Sequence, residues 1–251
     1  ATALKWHTCA WLLLPVLVFL TGWMHWYAAL PLTLLTAAGL APRKRKEPPT
    51  RDSLPAFPLF TRSSFLALAA FAALTALSGW GEWVNQHPDH IVRNACLREL
   101  VASPWPVIFP DGNMLVYNTG FWLVPALAGK LAGLDAARVF VVLWGTWGLF
   151  LTWLWLCVFS GRRSLLLALL MAAFGSLLNF QCWLGLDLFR LHYFGTAEQI
   201  MCSANASIPV LLFFIFLALG RMPLPWIPLL FAATAFYSPL AALGGLPLAA
   251  C

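Results

Sequence analysis

The residues best equipped for chemistry lie in one stretch, 82–117: EWVNQHPDHIVRNACLRELVASPWPVIFPDGNMLVY. It holds Glu82, Asp89, Glu99 and Asp111, four of the nine acidic residues, with His87 and His90, two of the five histidines. Asp89 is the acid around which a reaction is most readily drawn. His90 is its neighbour and Arg93 follows four residues on. Adjacent cations keep a carboxylate ionised and able to accept a proton. The same Asp89, after Pro88 and at the head of PDHIVRNACLREL, also stands where a helix N-cap belongs, and the sequence leaves both readings open. A second polar stretch, 185–206 (GLDLFRLHYFGTAEQIMCSANA), carries Asp187, Arg190 and Glu198. The spacing of Asp187 and Arg190 suits a local ion pair on a helix as well as it suits contact with a charged substrate.

Other chemistries find little footing. His87, Asp89 and His90 are close, but H-x-D-H is no established metal-ligand spacing. The six cysteines form no C-x-x-C. A phosphate-binding glycine loop, a dinucleotide fingerprint and a serine nucleophile elbow are all absent. Cys96, Cys182 and Cys202 fall in the polar stretches or beside them, where an oxidising compartment would permit one pair to link. Asn205-Ala206-Ser207 matches a glycosylation sequon.

The elements that position these residues are apolar. The chain is 61% hydrophobic and 10% charged, against about 25% charged for soluble domains. Several runs have bilayer-spanning length, which predicts an all-α integral membrane protein, a polytopic helical bundle of about seven spans in one transmembrane domain. The fourteen tryptophans suit interfacial anchoring. The net charge of +6 is no nucleic-acid footprint, because six of the fifteen basic residues fall between Arg43 and Arg62. That proline-rich loop is cytoplasmic by the positive-inside rule.

Residues 9–41 read as a helical hairpin turning near His25 and Pro31, or as one long tilted helix. Residues 63–80 then run outward, which leaves 82–117 outside. The segment 118–134 decides the rest. If it spans, Arg162 and Arg163 of the GRR turn lie outside, against the charge rule. Pro125, Gly129, Lys130, Gly133 and its short length favour an interfacial or re-entrant helix. Residues 136–160 run inward, 164–184 outward, 207–220 inward, and 225 onward outward again. Seven of the nine acids then lie outside and ten of the fifteen bases inside. Within the outer stretch 82–135 we expect interfacial helices. Ile91, Ala95 and Leu97 should dip into the apolar boundary while Arg93, Arg98 and Glu99 face water or headgroups. PWPVIFPDGNMLVYNTG (104–120), with three prolines and a DGN turn, reads as a stiff extended connector. The two outer polar stretches should face each other across one cavity. The apolar run up to Cys251 leads us to expect a longer protein.

These pieces resemble, in order and character, the GT-C superfamily of polytopic glycosyltransferases. An acid, Asp89, follows an outward span; a short helix comes next; Arg138 precedes the following span; a basic inner turn, GRR at 161–163, closes it. The chain looks most like the N-terminal membrane module of one bacterial branch, whose loops read D-x-x-x-x-N-x-x-L-x-x-L, then WPV, then LVY-Y-x-G. Here these are Asp89, Asn94, Leu97 and Leu100, then Trp105-Pro106-Val107, then Leu115 to Gly120. Asn118 departs from the pattern where a second Tyr is expected. Gly185-Leu186-Asp187, SANASIP at 203–209 and YSPLAALGGLP at 237–247 also fit.

The resemblance implies a transferase that uses a polyprenyl-phosphate-linked sugar at the outer, periplasmic face of a bacterial inner membrane. Its partners would be the lipid-linked sugar, membrane lipids and other membrane proteins, with no nucleic acid. It implies no certain cofactor and leaves room for a divalent metal. It makes Asp89 the catalytic base and puts His90, Arg93, Asn94, Tyr117, Arg138, Asp187, Arg190 and Glu198 among the substrate contacts. Two other readings stand beside it: a non-catalytic subunit of a larger membrane complex, and a lipid or amphiphile transporter. A transporter would want charged or broken helices at mid-membrane, whereas the acids here sit at helix edges.

Overall fold

Leucine, alanine and aromatic runs without room for water must satisfy their backbone within the segment, and the helix is the form that does so. The computed structural model describes residues 2–40, 61–84, 86–174, 196–219 and 222–249, and among them ten helices and no strand. They are α1 (Thr2–Trp23), α2 (Trp26–Leu40), α3 (Arg62–Leu77), α4 (His90–Ala102), α5 (Gly120–Ala132), α6 (Leu134–Ser160), α7 (Leu165–Ala173), α8 (Thr196–Ala218), α9 (Trp226–Tyr237) and α10 (Pro239–Ala249). Three of them, α1, α6 and α8, contain stretches long and apolar enough to cross a membrane. The others fall short. α3 has 16 residues, about 24 Å at about 1.5 Å per residue, and ends before the turn at Ser78–Gly81. Where one run from 225 onward is expected, Ser238 separates α9 from α10. The first apolar stretch breaks at Met24–His25, and Pro31 lies inside α2 rather than at the turn.

α6 is the axis, packed against α1, α3, α4, α5, α7 and α8. At Gly148 an added Cβ would meet Ile208 at 2.5 Å and Trp11 at 2.7 Å, so glycine is what lets α1 and α8 approach α6 this closely. Trp11 is stacked on Trp144 (5.0 Å) and on Tyr237 (5.2 Å), and its indole N–H donates to the Trp144 carbonyl at 3.1 Å. The Tyr237 hydroxyl donates to the Trp11 carbonyl at 2.6 Å. Pro15, four residues on in α1, has no N–H to offer that carbonyl. Tyr237 therefore repairs a gap that the proline makes. Thr75 of α3 and Thr146 of α6 share a hydrogen bond of 2.7 Å, and Trp155 donates to Thr8 at 2.8 Å.

The α3–α6 pair fixes which polar segments share an end. Glu82, just past α3, meets Arg138 near the start of α6. Arg163 of the GRR turn donates to Thr61 and Ser64 at the start of α3, at 2.8 and 2.9 Å. The two helices are antiparallel, with Glu82 and the GRR turn at opposite ends. α5 stays at the Glu82 end: Trp122 stacks on Trp80 at 5.2 Å, and an added Cβ at Gly129 would meet Val101 and Ala137. Its 13 residues, about 20 Å, are too short to span. It is not a surface-lying helix, however. Most of it is buried against α1, α4 and α6, as a helix lying on a membrane surface would not be.

Candidate functional site

The polar stretch begins with a tight reversal. Gly79 has φ +86° and Glu82 φ +62°, the left-handed region that glycine enters freely and glutamate does not. Between them the buried Trp80 turns inward and its indole N–H donates to the Ile200 carbonyl of α8 at 3.0 Å. His90 Nε2, on α4, lies 2.9 Å from the Met201 carbonyl, and Arg93 donates to the Cys202 carbonyl and to Ser203 Oγ. These three consecutive carbonyls have a common cause. Ser203 has φ −149° and ψ 49°, a kink inside α8. The kink takes the carbonyls before it out of the helical ladder, and each then needs a donor from elsewhere. Trp80, His90 and Arg93 supply them. The first polar stretch therefore meets residues 200–203 of the second.

The expected orientation of α4 holds for the buried Leu97 and the exposed Arg98 and fails at Arg93. Its buried face carries His90, Arg93, Asn94, Leu97 and Leu100, while Ile91 and Ala95 are exposed. Arg93 is 7% exposed and lies 5.6 Å from the Trp80 ring centroid. It faces neither water nor headgroups, because α8 offers it carbonyls and Trp80 a π face. Asn94 is buried and donates to Gln86 at 2.9 Å. Cys96 is a buried free thiol, pushed up to about 12 by that burial and inert as a nucleophile.

Asp89 occupies the N-cap position of α4, yet its side chain makes no capping bond. It is 55% exposed, 3.8 Å from Arg93 and 3.6 Å from His87. One turn of helix therefore presents an outward carboxylate and, beneath it, a buried guanidinium. Nine residues further along α4, Arg98 enters a second cluster. Arg98 and Arg138 both donate to Glu82 Oε2 at 2.6 Å, and Arg138 also donates to Asp135 at 2.8 Å. Burial alone would raise the Glu82 carboxyl, but the hydrogen bonds from Arg138 and Arg98 outweigh it and hold the group below its ordinary value.

Tyr117 is exposed just before α5, and Glu198 stands in the first turn of α8. Asp187, Arg190 and Cys182 lie outside the described residues, so the cavity expected to hold Asp187 does as well. Asn205 is 6% exposed inside α8, which leaves no room for a glycan on the sequon. The 104–120 connector folds back on itself: Ile108 pairs with Met114 across a turn at Asp111-Gly112-Asn113, and Val107 is buried. Among the described residues no three metal-ligating side chains converge.

His90 gives the site a pH signature. Burial, reinforced by the charge of Arg93, lowers its imidazole below the ordinary value, with the Met201 bond acting the other way. The folded protein then holds His90 neutral where the unfolded chain begins to protonate, below about pH 6.5. Stability is fully present above that pH and is lost as pH falls from it through the folded value. Thermal unfolding in detergent should show this slope between pH 7.5 and 5, and His90→Gln, which retains a donor for Met201, should flatten it. An unchanged slope would mean that His90 is not held neutral.

Fold and site together define a helical protein with three membrane-length helices and a polar cluster gathered at one end of the α3–α6 pair. No protein-family model, curated protein or solved structure matches this chain.

Proposed function

We propose that the chain is a polytopic membrane glycosyltransferase of GT-C type, acting at the outer face on a sugar carried by a polyprenyl phosphate. The observation that carries this reading is Asp89. It stands at a cap position without capping and points outward, with a guanidinium 3.8 Å away. In the reaction, the acceptor hydroxyl gives its proton to the Asp89 carboxylate as its oxygen bonds to the anomeric carbon. The bond from that carbon to the phosphate oxygen breaks, and the phosphate leaves with the electron pair. Cations near the leaving oxygen stabilise the charge it gains. Arg93, committed to α8, lies 3.8 Å from Asp89 and positions α4. Arg98 and Arg138 are the cations with side chains nearer the surface. Asp89→Asn, read by the glycan product in cells, tests the chemistry.

The placement has its own test. In a background without native cysteines, a cysteine in place of Asn113 should react with an impermeant thiol reagent applied from outside. Cysteines in place of Arg45 and Arg162 should resist it. The motive is that Glu82 and the GRR turn occupy opposite ends of the α3–α6 pair. Labelling of positions 113 and 162 from the same side would rule out the proposed topology.

A further inference from the structure

We propose that the Arg98–Arg138 pair is a phosphate-recognition site and that Glu82 is its resident anion, which gives way when a phosphate group enters. This deepens the reading above and rests on it for the lipid-borne form of that phosphate.

Three observations point the same way. The first is an uneven use of hydrogen-bonding capacity. Two guanidinium groups converge on Oε2 of Glu82 at 2.6 Å each, while Oε1 is buried without a partner, as is Arg138 Nε. A carboxylate frequently meets a guanidinium with both oxygens. A phosphate group brings three acceptor oxygens in a tetrahedral arrangement, enough to serve both arginines and the idle Arg138 Nε. Glu82 is an imperfect occupant of a site that suits a larger anion.

The second is the backbone. Glu82 is the only non-glycine residue with positive φ among the described residues. Such conformations persist where surrounding contacts over-determine them, and they gather at clamps and switch regions. Here the two arginine bonds add to the turn bond from the Glu82 N–H to the Gly79 carbonyl, so an anion that competes for the arginines removes the side-chain part of that constraint. The third is access. The Arg98 side chain is 53% exposed and that of Asp135 93%. An anion can reach the Arg98 guanidinium from outside, while Arg138, 22% exposed, and its buried Nε open to it as Glu82 withdraws. Asp135 occupies one face of Arg138 and favours a ligand that needs only the remaining donors.

The test uses the full chain in detergent with two probes, inorganic phosphate and dodecyl phosphate, measured by ³¹P NMR titration at low salt. Glu82→Gln removes the resident charge while keeping its shape, and should tighten binding at least tenfold over wild type. Adding Arg98→Gln to Glu82→Gln should abolish that gain. A gain for both probes identifies a free phosphate ligand. A gain for dodecyl phosphate alone identifies a lipid headgroup. A folded Glu82→Gln protein that binds neither probe more tightly than wild type overturns the proposal, and so does a gain that survives the loss of Arg98.

If Glu82→Gln fails to fold, wild type answers instead. Saturating dodecyl phosphate should slow modification of Arg98 by phenylglyoxal, and no protection overturns the proposal. Phosphate binding with the expected Glu82 dependence, in a protein that makes no glycan, would remove the transferase reading and leave this site standing.

Discussion

Replacing Asp89 with Asn should leave a normally folded protein that makes about 10²–10⁴-fold less glycan product, the usual consequence of losing a general base. The fold should survive because the side chain makes no capping bond and is more than half exposed. The change removes basicity while nearly preserving shape. Were Asp89 only a cap, the loss would be about 1 kcal/mol of stability and turnover would be close to normal. The two outcomes are far apart, so a cellular readout of the glycan at matched expression separates them. Full product formation by the variant would take Asp89 out of the mechanism. It would favour the non-catalytic subunit, which needs no base.

Arg93→Leu should destabilise the polar end of the bundle by about 3 kcal/mol. That figure combines the loss of a charged donor to a carbonyl that must then stay buried and unpaired with the loss of the Trp80 contact. The effect should be local. Backbone amides flanking the α8 kink, around 199–206, should exchange with solvent faster by a factor on the order of 10², while amides in the middle of α6 change little. Arg93→Lys, which keeps a charge and a donor, should recover part of the loss. An arginine facing water would behave otherwise, since surface substitutions usually stay within about 0.5 kcal/mol. Unchanged exchange at the kink would show that Arg93 does not hold those carbonyls.

The helical class and the axial helix were legible from the residues alone. The run from Leu134 to Ser160 is apolar throughout its middle and is bounded by Asp135 and by the glycine of GRR. The structure begins and ends α6 there. That 118–134 holds only a short helix was also legible, from Pro125 and the glycines at 129 and 133. Its burial was not, since the hydrophobic residues of α5 suit a membrane boundary and a protein interior equally well. The break after Leu77 was hidden too, because composition continues smoothly from α3 into Ser78, Gly79 and Trp80.

The polar site divides the same way. Its location in 82–117 follows from where polarity is concentrated, and Asp89 stands out by its type and its neighbours. The roles of Arg93 and Glu82 do not follow. Arg93 looks like a solvated cation until α8 kinks at Ser203 and presents carbonyls that no helical neighbour can satisfy. Glu82 looks like one polar residue among many until Arg98 and Arg138, 16 and 56 positions away, close on it.

What the chain determined by itself is what depends on neighbours in sequence: which runs are apolar enough to be helices and where polarity is concentrated. What tertiary structure decided is which polar groups pair. A buried donor or acceptor must find a partner wherever the packed helices bring one, and that distance is written in no single stretch of residues.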